Sequence, residues 1–145
     1  MSAAPDAADS YVLEDQVGFI LRRAHQRATE IFAAVMQGFE VTPVQFAALA
    51  KLEDEGATSQ NALGRLIGVH QATLSGVVRR LAARGLVTQS HAPGDARLVL
   101  LDLTPEGRAL TRAMKRRGRD VSARTLGPLT TEEAAQFCRL LARLT

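Results

Sequence analysis

GRLIGVHQATLSGVVRRLAARGLV, residues 64–87, followed by GDARLVLLDLTPEG, residues 94–107, decides the fold. Gly68 breaks one short helical pattern, which Thr58 can cap and which runs to about Ile67. A second pattern runs from about His70 to Arg84, with Leu74, Val77, Val78 and Leu81 on one face and Gly85 at its end. Then the period changes. Leu86 to His91 and Arg97 to Leu103 read as two strands, and Pro93, Gly94 and Asp95 between them supply turn chemistry. Leu98 to Leu101 is apolar on both faces, which predicts a strand that packs on one side and touches a neighbour on the other. Two short helices joined by a tight turn and followed at once by a β-ribbon make a winged helix-turn-helix.

Upstream, Val17, Ile20, Leu21, Ala24, Ala28, Ile31, Phe32 and Val35 recur at steps of three and four, predicting a helix over about Leu13 to Gln37. Val41-Thr42-Pro43-Val44-Gln45-Phe46 then combines a capping box, a first-turn proline and a hydrophobic staple, opening a helix to about Leu52. Downstream, Thr104-Pro105-Glu106 restarts a helix carrying Arg108, Arg112, Lys115, Arg116, Arg117, Arg119 and Arg124. That basic run is expected to be a solvated face. Gly127-Pro128 stops the helix, and Leu129-Thr130-Thr131-Glu132-Glu133 opens a last one to the C-terminus with Phe137, Leu140, Leu141 and Leu144 as its apolar residues. The expected fold is mainly α with a small β-hairpin, one domain over residues 1–145.

The 145 residues are 46% hydrophobic and 23% charged, with 4% aromatics, so the core must be aliphatic. The net charge of +3 is mild, but it is unevenly placed. Residues 1–15 hold four acids and no Lys or Arg, an expected acidic leader, whereas residues 59–97 hold Arg65, Arg79, Arg80, Arg84 and Arg97 against Asp95 alone. No signal peptide or membrane-length apolar run is found, and a cytoplasmic protein without membrane contact is expected. Cys138 is the only cysteine, expected to be a buried, inert thiol. His25, His70 and His91 have no ligand spacing, so no metal and no cofactor are expected. Nucleophile triads, glycine-rich phosphate loops and paired carboxylates are missing, which argues against an enzyme.

A helix entering the major groove needs small or polar side chains near its start and cations along its flank. Gln71, Thr73 and Ser75 fit the first need, Gly76 permits close approach, and Arg79 and Arg80 follow for phosphate or guanine. Ser59 and Gln60 stand where backbone contacts form, and Arg97, oriented by Asp95, can reach a minor groove. An ordinary solvated helix face and an ordinary turn aspartate are the plainer alternatives. An architectural or redox-responsive winged helix without a small ligand is the alternative function.

The stretch Thr42 to Leu103 resembles the MarR family of bacterial regulators, in its helix-turn-helix, its Asp-x-Arg wing and the cap of the next helix. The resemblance implies a homodimer built from helices at about 13–37 and 105–145, with a DNA-binding lobe at about 42–103. It also implies a palindromic double-stranded operator and release by a small aromatic acid. His70 departs from the Asp or Ser usual at the head of the recognition helix; it caps poorly and could contact DNA instead. The opening Leu13 to Phe19 with Arg22 and Arg23 resembles CouR-type repressors, which implies a hydroxycinnamoyl-CoA thioester as effector. Polar candidates for an effector pocket are Arg22, Arg23, His25, Gln26 and Thr29, against the alternative that they form the wet face of an amphipathic helix.

Overall fold

The computed structural model describes residues 10–145; most of the acidic leader lies outside them. A short 3-10 turn, Leu13–Asp15, precedes six helices: α1 Val17–Val35, α2 Pro43–Glu55, α3 Gln60–Ile67, α4 Gln71–Ala83, α5 Pro105–Thr125 and α6 Thr131–Ala142. Three strands, β1 Thr58–Ser59, β2 Val87–Ala92 and β3 Asp95–Leu103, form an antiparallel sheet in the order β1-β3-β2.

Local signals explain most of the boundaries. Thr42 Oγ1 accepts from Gln45 N and Gln45 Oε1 accepts from Thr42 N, a complete capping box at α2. Thr130 and Glu133 repeat it at α6. Thr104 caps α5 through Gly107 N. The predicted first helix is broken instead at Gln16, whose backbone is extended and whose side-chain amide donates to Val12 O. The α2 helix runs one turn past the predicted Leu52 and ends at Gly56. Ser59, not Thr58, caps α3 by accepting from Ala62 N. Thr58 is free to pair in β1, opposite Leu101.

The core is aliphatic. Leu49, Leu52, Leu63, Leu74, Leu81, Leu101 and Met114 are fully buried, drawing α2, α3, α4, β3 and α5 around one cluster. Thr111 is buried among them, its hydroxyl donating to Gly107 O within its own helix. The expectation that both faces of β3 are covered holds only at its base. Leu101 is buried, but Leu98 and Val99 are exposed because the hairpin projects beyond the body.

The basic run on α5 is not a simply solvated face. Arg112 Nε lies 2.7 Å from Glu53 Oε1, and Lys115 Nζ lies 2.9 Å from Glu53 Oε2 and 2.7 Å from Asp54 Oδ1, tying the end of α2 to the middle of α5. The bonds from Lys115 and Arg112 hold the Glu53 carboxyl below its usual 4.5 against the opposing cost of burial. The bond to Asp54 raises the Lys115 ammonium, again against burial. A depressed carboxylate contributes stability above its unfolded pKa and loses it as pH falls through the folded value. The raised lysine contributes below its unfolded pKa and loses it as pH rises through the folded one. Glu53→Gln should therefore lower Tm by about 2–4 °C at pH 7, with the gap to the native protein closing on acidification below the usual carboxylate range. Thermal melts at neutral and acid pH check this, and a gap of constant size would refute it.

Helix α6 stands apart. None of its residues is buried, and Phe137, Leu140 and Leu144 are exposed beside Val17, Ile20 and Leu21 of α1. Together they line an apolar groove of about 470 Å³. Cys138, expected to be buried, is exposed in the single chain for the same reason: none of the described residues covers α6.

Candidate nucleic-acid interface

The turn between α3 and α4 is built by Gly68, whose φ of 68° lies in the left-handed region that glycine adopts without strain. It sets α4 across α3. His70 is the N-cap of α4 and makes no side-chain capping bond, so the first backbone N–H groups of α4 are unpaired by any cap. His70 itself is exposed there.

Three of the predicted contact residues hold one another. Gln60 Nε2 donates to Ser75 Oγ at 2.8 Å. Gln71 Nε2 donates to Gln60 O at 3.3 Å and lies over Gly64, where a Cβ would leave it no room. Ser59 is occupied as the α3 cap. These bonds fix the angle between α3 and α4 in the chain alone. Thr73, Arg79 and Arg80 are exposed and make no side-chain bond among the described residues. With Ala72 and Gly76 they recur at three- and four-residue steps, giving α4 a face that is small and polar first and cationic one turn later. Ala72 was not singled out in the sequence, because alanine carries no charge or polarity signal. On this face its methyl is the size that meets a thymine methyl. Arg65, exposed in the last turn of α3, adds a further cation.

On the wing, Asp95 Oδ1 accepts from the backbone N–H of Arg97 at 3.0 Å. The expected ion pair to the guanidinium is replaced by this backbone bond, which shapes the turn after Gly94 and leaves the Arg97 side chain exposed.

The candidate effector residues are dispersed. Arg22 and Arg23 lie over the Phe19 ring, 5.4 and 5.9 Å from its centroid. Thr29 donates to His25 O, and Gln26 lies 3.4 Å from Glu30 Oε1. Of the five, Arg23 lines a hollow of about 380 Å³ that it shares with Glu14, Phe19, Ile20, Ala24 and Arg27. Arg27 was not predicted; its guanidinium donates to Thr125 O and Arg124 O, capping the end of α5.

A helix-turn-helix with an exposed cationic second helix and an arginine-tipped wing defines a winged-helix DNA-binding protein. The MarR family pattern matches residues 41–99. Over 143 residues the chain is 40% identical to the transcriptional repressor NicR of Pseudomonas putida, covering 99% of this chain and 90% of NicR. The structure of BpsR from Bordetella bronchiseptica, described for the regulation of its DNA binding by 6-hydroxynicotinic acid, is 38% identical with a TM-score of 0.89, covering 93% of this chain and 96% of that one. The repressor CouR bound to a 23-mer DNA duplex is 25% identical with a TM-score of 0.84, over 93% and 99%. The chain belongs to the MarR family of transcriptional regulators. No helix among the described residues is long and apolar enough to cross a membrane.

Proposed function

We propose that the protein is a homodimeric, cytoplasmic repressor, one domain in each protomer, that binds a palindromic operator and is released by a small hydroxylated aromatic acid. The observation that carries the DNA half is the face of α4 with exposed Thr73, Arg79 and Arg80 around half-buried Gly76, beside exposed Arg97 on the wing. Two such helices about 34 Å apart read half-sites one helical turn apart. Thr73 and the start of α4, with His70, meet base edges and phosphate. Gln71, Ser75, Gln60 and Ser59 brace the motif and can exchange their mutual bonds for bonds to DNA. Arg79 and Arg80 take phosphate or guanine.

The effector half is supported by likeness. BpsR, 38% identical and described with its DNA binding regulated by 6-hydroxynicotinic acid, is nearer than CouR at 25%, which favours a free aromatic acid over a CoA thioester. Among the α1 candidates, Arg22 and Arg23 with Phe19 offer a forked cation and a ring to such an acid, with His25, Gln26 and Thr29 further along the same helix. The acid acts only by binding the conformation that cannot hold both half-sites more tightly than the one that can.

The test is a mobility shift on the DNA upstream of the gene, at fixed salt, with 6-hydroxynicotinate, other aromatic acids and their CoA thioesters. Release by a free acid supports the reading. Binding that no acid releases removes the effector half, and broad, sequence-independent binding with a steep salt slope removes the operator as well. In the same assay Arg97→Ala should weaken operator binding about tenfold, roughly 1.4 kcal/mol, without moving Tm. An unchanged affinity would take the wing out of the mechanism.

A further inference from the structure

The recognition helix packs chiefly on α2, α3 and β2, all within its own lobe. Besides the Gly85–Leu86 junction with the start of α5, its tie to the α1–α5 frame is an arginine. Arg84, the C-cap of α4, donates from Nη1 to Glu40 O at 2.7 Å and from Nη2 to Phe39 O at 3.0 Å. Those carbonyls belong to the loop between α1 and α2. The same loop is gripped from the other side by Arg117 of α5, whose guanidinium carbon lies 4.8 Å from the Phe39 ring centroid and whose Nη1 lies 3.4 Å from Gln37 O and 3.5 Å from Val35 O. The loop is under tension. Glu40 has a φ of 54°, the one non-glycine residue in the left-handed region among the described residues, and Gly38 has a φ of 95°. A non-glycine residue stays in that region only where its surroundings hold it.

We infer that Arg84 is a positioning residue for DNA recognition: through the strained Gly38–Glu40 loop and Arg117 it fixes the angle of α4 to the dimerisation helices. It thereby sets which half-site spacing the protein accepts. The forked donor matters here. One guanidinium spans two successive carbonyls and so fixes an orientation, which a single ammonium does not. An interface built this way transmits a shift at α1 or α5 to α4 without a new contact at the DNA. The spacing readout rests on the two-half-site reading above, so a second readout within one chain accompanies it.

The experiment compares the full-length protein with Arg84→Gln and Arg84→Lys. Operators with the central spacer shortened or lengthened by one base pair report spacing preference. Hydrogen exchange of the DNA-free protein reports the loop and the last turn of α4. The native protein should prefer one spacing by tenfold or more. Arg84→Gln should reduce that preference to threefold or less, with Arg84→Lys between, and should speed exchange at residues 37–40 and 81–86 at least tenfold. The salt slope of operator binding should stay the same. Full spacing preference in Arg84→Gln, or a salt slope smaller by about one unit, would overturn the inference, the latter by making Arg84 a phosphate contact. A native protein indifferent to spacing would sink the two-half-site reading instead. The clamp then stands or falls on exchange: tenfold acceleration upholds it, and unchanged exchange removes it.

Discussion

Gly107→Ala should cost about 3 kcal/mol, the upper part of the range for forcing atoms into a packed core, although the substitution replaces glycine by the best helix former. Helix propensity alone would favour alanine by about 1 kcal/mol, so the two effects oppose each other and geometry decides. A methyl on Gly107 would fall inside the carbonyl oxygen of Leu86 and 2.9 Å from its carbon. Those atoms are backbone, held by the bond from Thr104 N to Leu86 O and, one residue earlier, from Thr104 Oγ1 to Gly85 O. They cannot rotate away. Gly85 and Leu86 link α4 to β2, so the methyl would pry the first turn of α5 off the junction between recognition helix and wing. Gly118, on the same helix, is the control. The nearest atom to a methyl there is 3.8 Å away, at the tip of the Phe46 ring. Gly118→Ala should be neutral or stabilising by up to about 1 kcal/mol. Urea denaturation of the two variants checks the contrast, and equal midpoints would refute it.

The same close approach shows why some of the structure was legible and some was not. Caps, breaks and stripes are local, and Thr42-Pro43, Gly68, Thr104-Pro105 and Thr130 each announce themselves within four residues. Strand β1 is two residues long and exists only because Leu100 and Leu101 are there to pair with. No periodicity fits in two residues, so Thr58 read as a cap. The α2–α5 ion pairs join residues about sixty positions apart, and a basic stripe looks the same whether water or Glu53 faces it. The residues proposed to face DNA were chosen because groove chemistry restricts their types, and Gln60, Gln71 and Ser75 bond one another in the chain alone. The α1 candidates were the least legible. An amphipathic helix carries polar residues on its wet side in any case, and the five candidates spread along α1, with Arg23 at a hollow.

Leu140→Asp should cut operator affinity a hundredfold or more at nanomolar protein while leaving the winged lobe folded. The reasoning begins with α6, twelve residues with no buried side chain. A helix of that length is marginal in water by itself, and this one presents Phe137 and Leu140 to solvent, with Leu144 just past its end, across a groove from Val17, Ile20 and Leu21. In the proposed dimer a second copy of the chain covers both stripes, which would remove that exposure and supply the missing packing. In a two-fold interface each substitution acts twice. A carboxylate placed at Leu140 would lose its hydration in each copy, inside an apolar groove whose single charged lining residue is Arg143, costing several kcal/mol. The lobe itself would be spared, since its core lies in α2, α3, α4, β3 and α5. Operator binding would then fall to that of one half-site, because the second recognition helix would no longer be held at high effective concentration. Light scattering and mobility shift on the same preparation give the answer, with Arg139→Ala on the polar side of α6 as control. A Leu140→Asp protein that keeps the dimer mass would place the interface elsewhere, and one that turns monomeric yet binds the full operator unchanged would separate dimerisation from recognition.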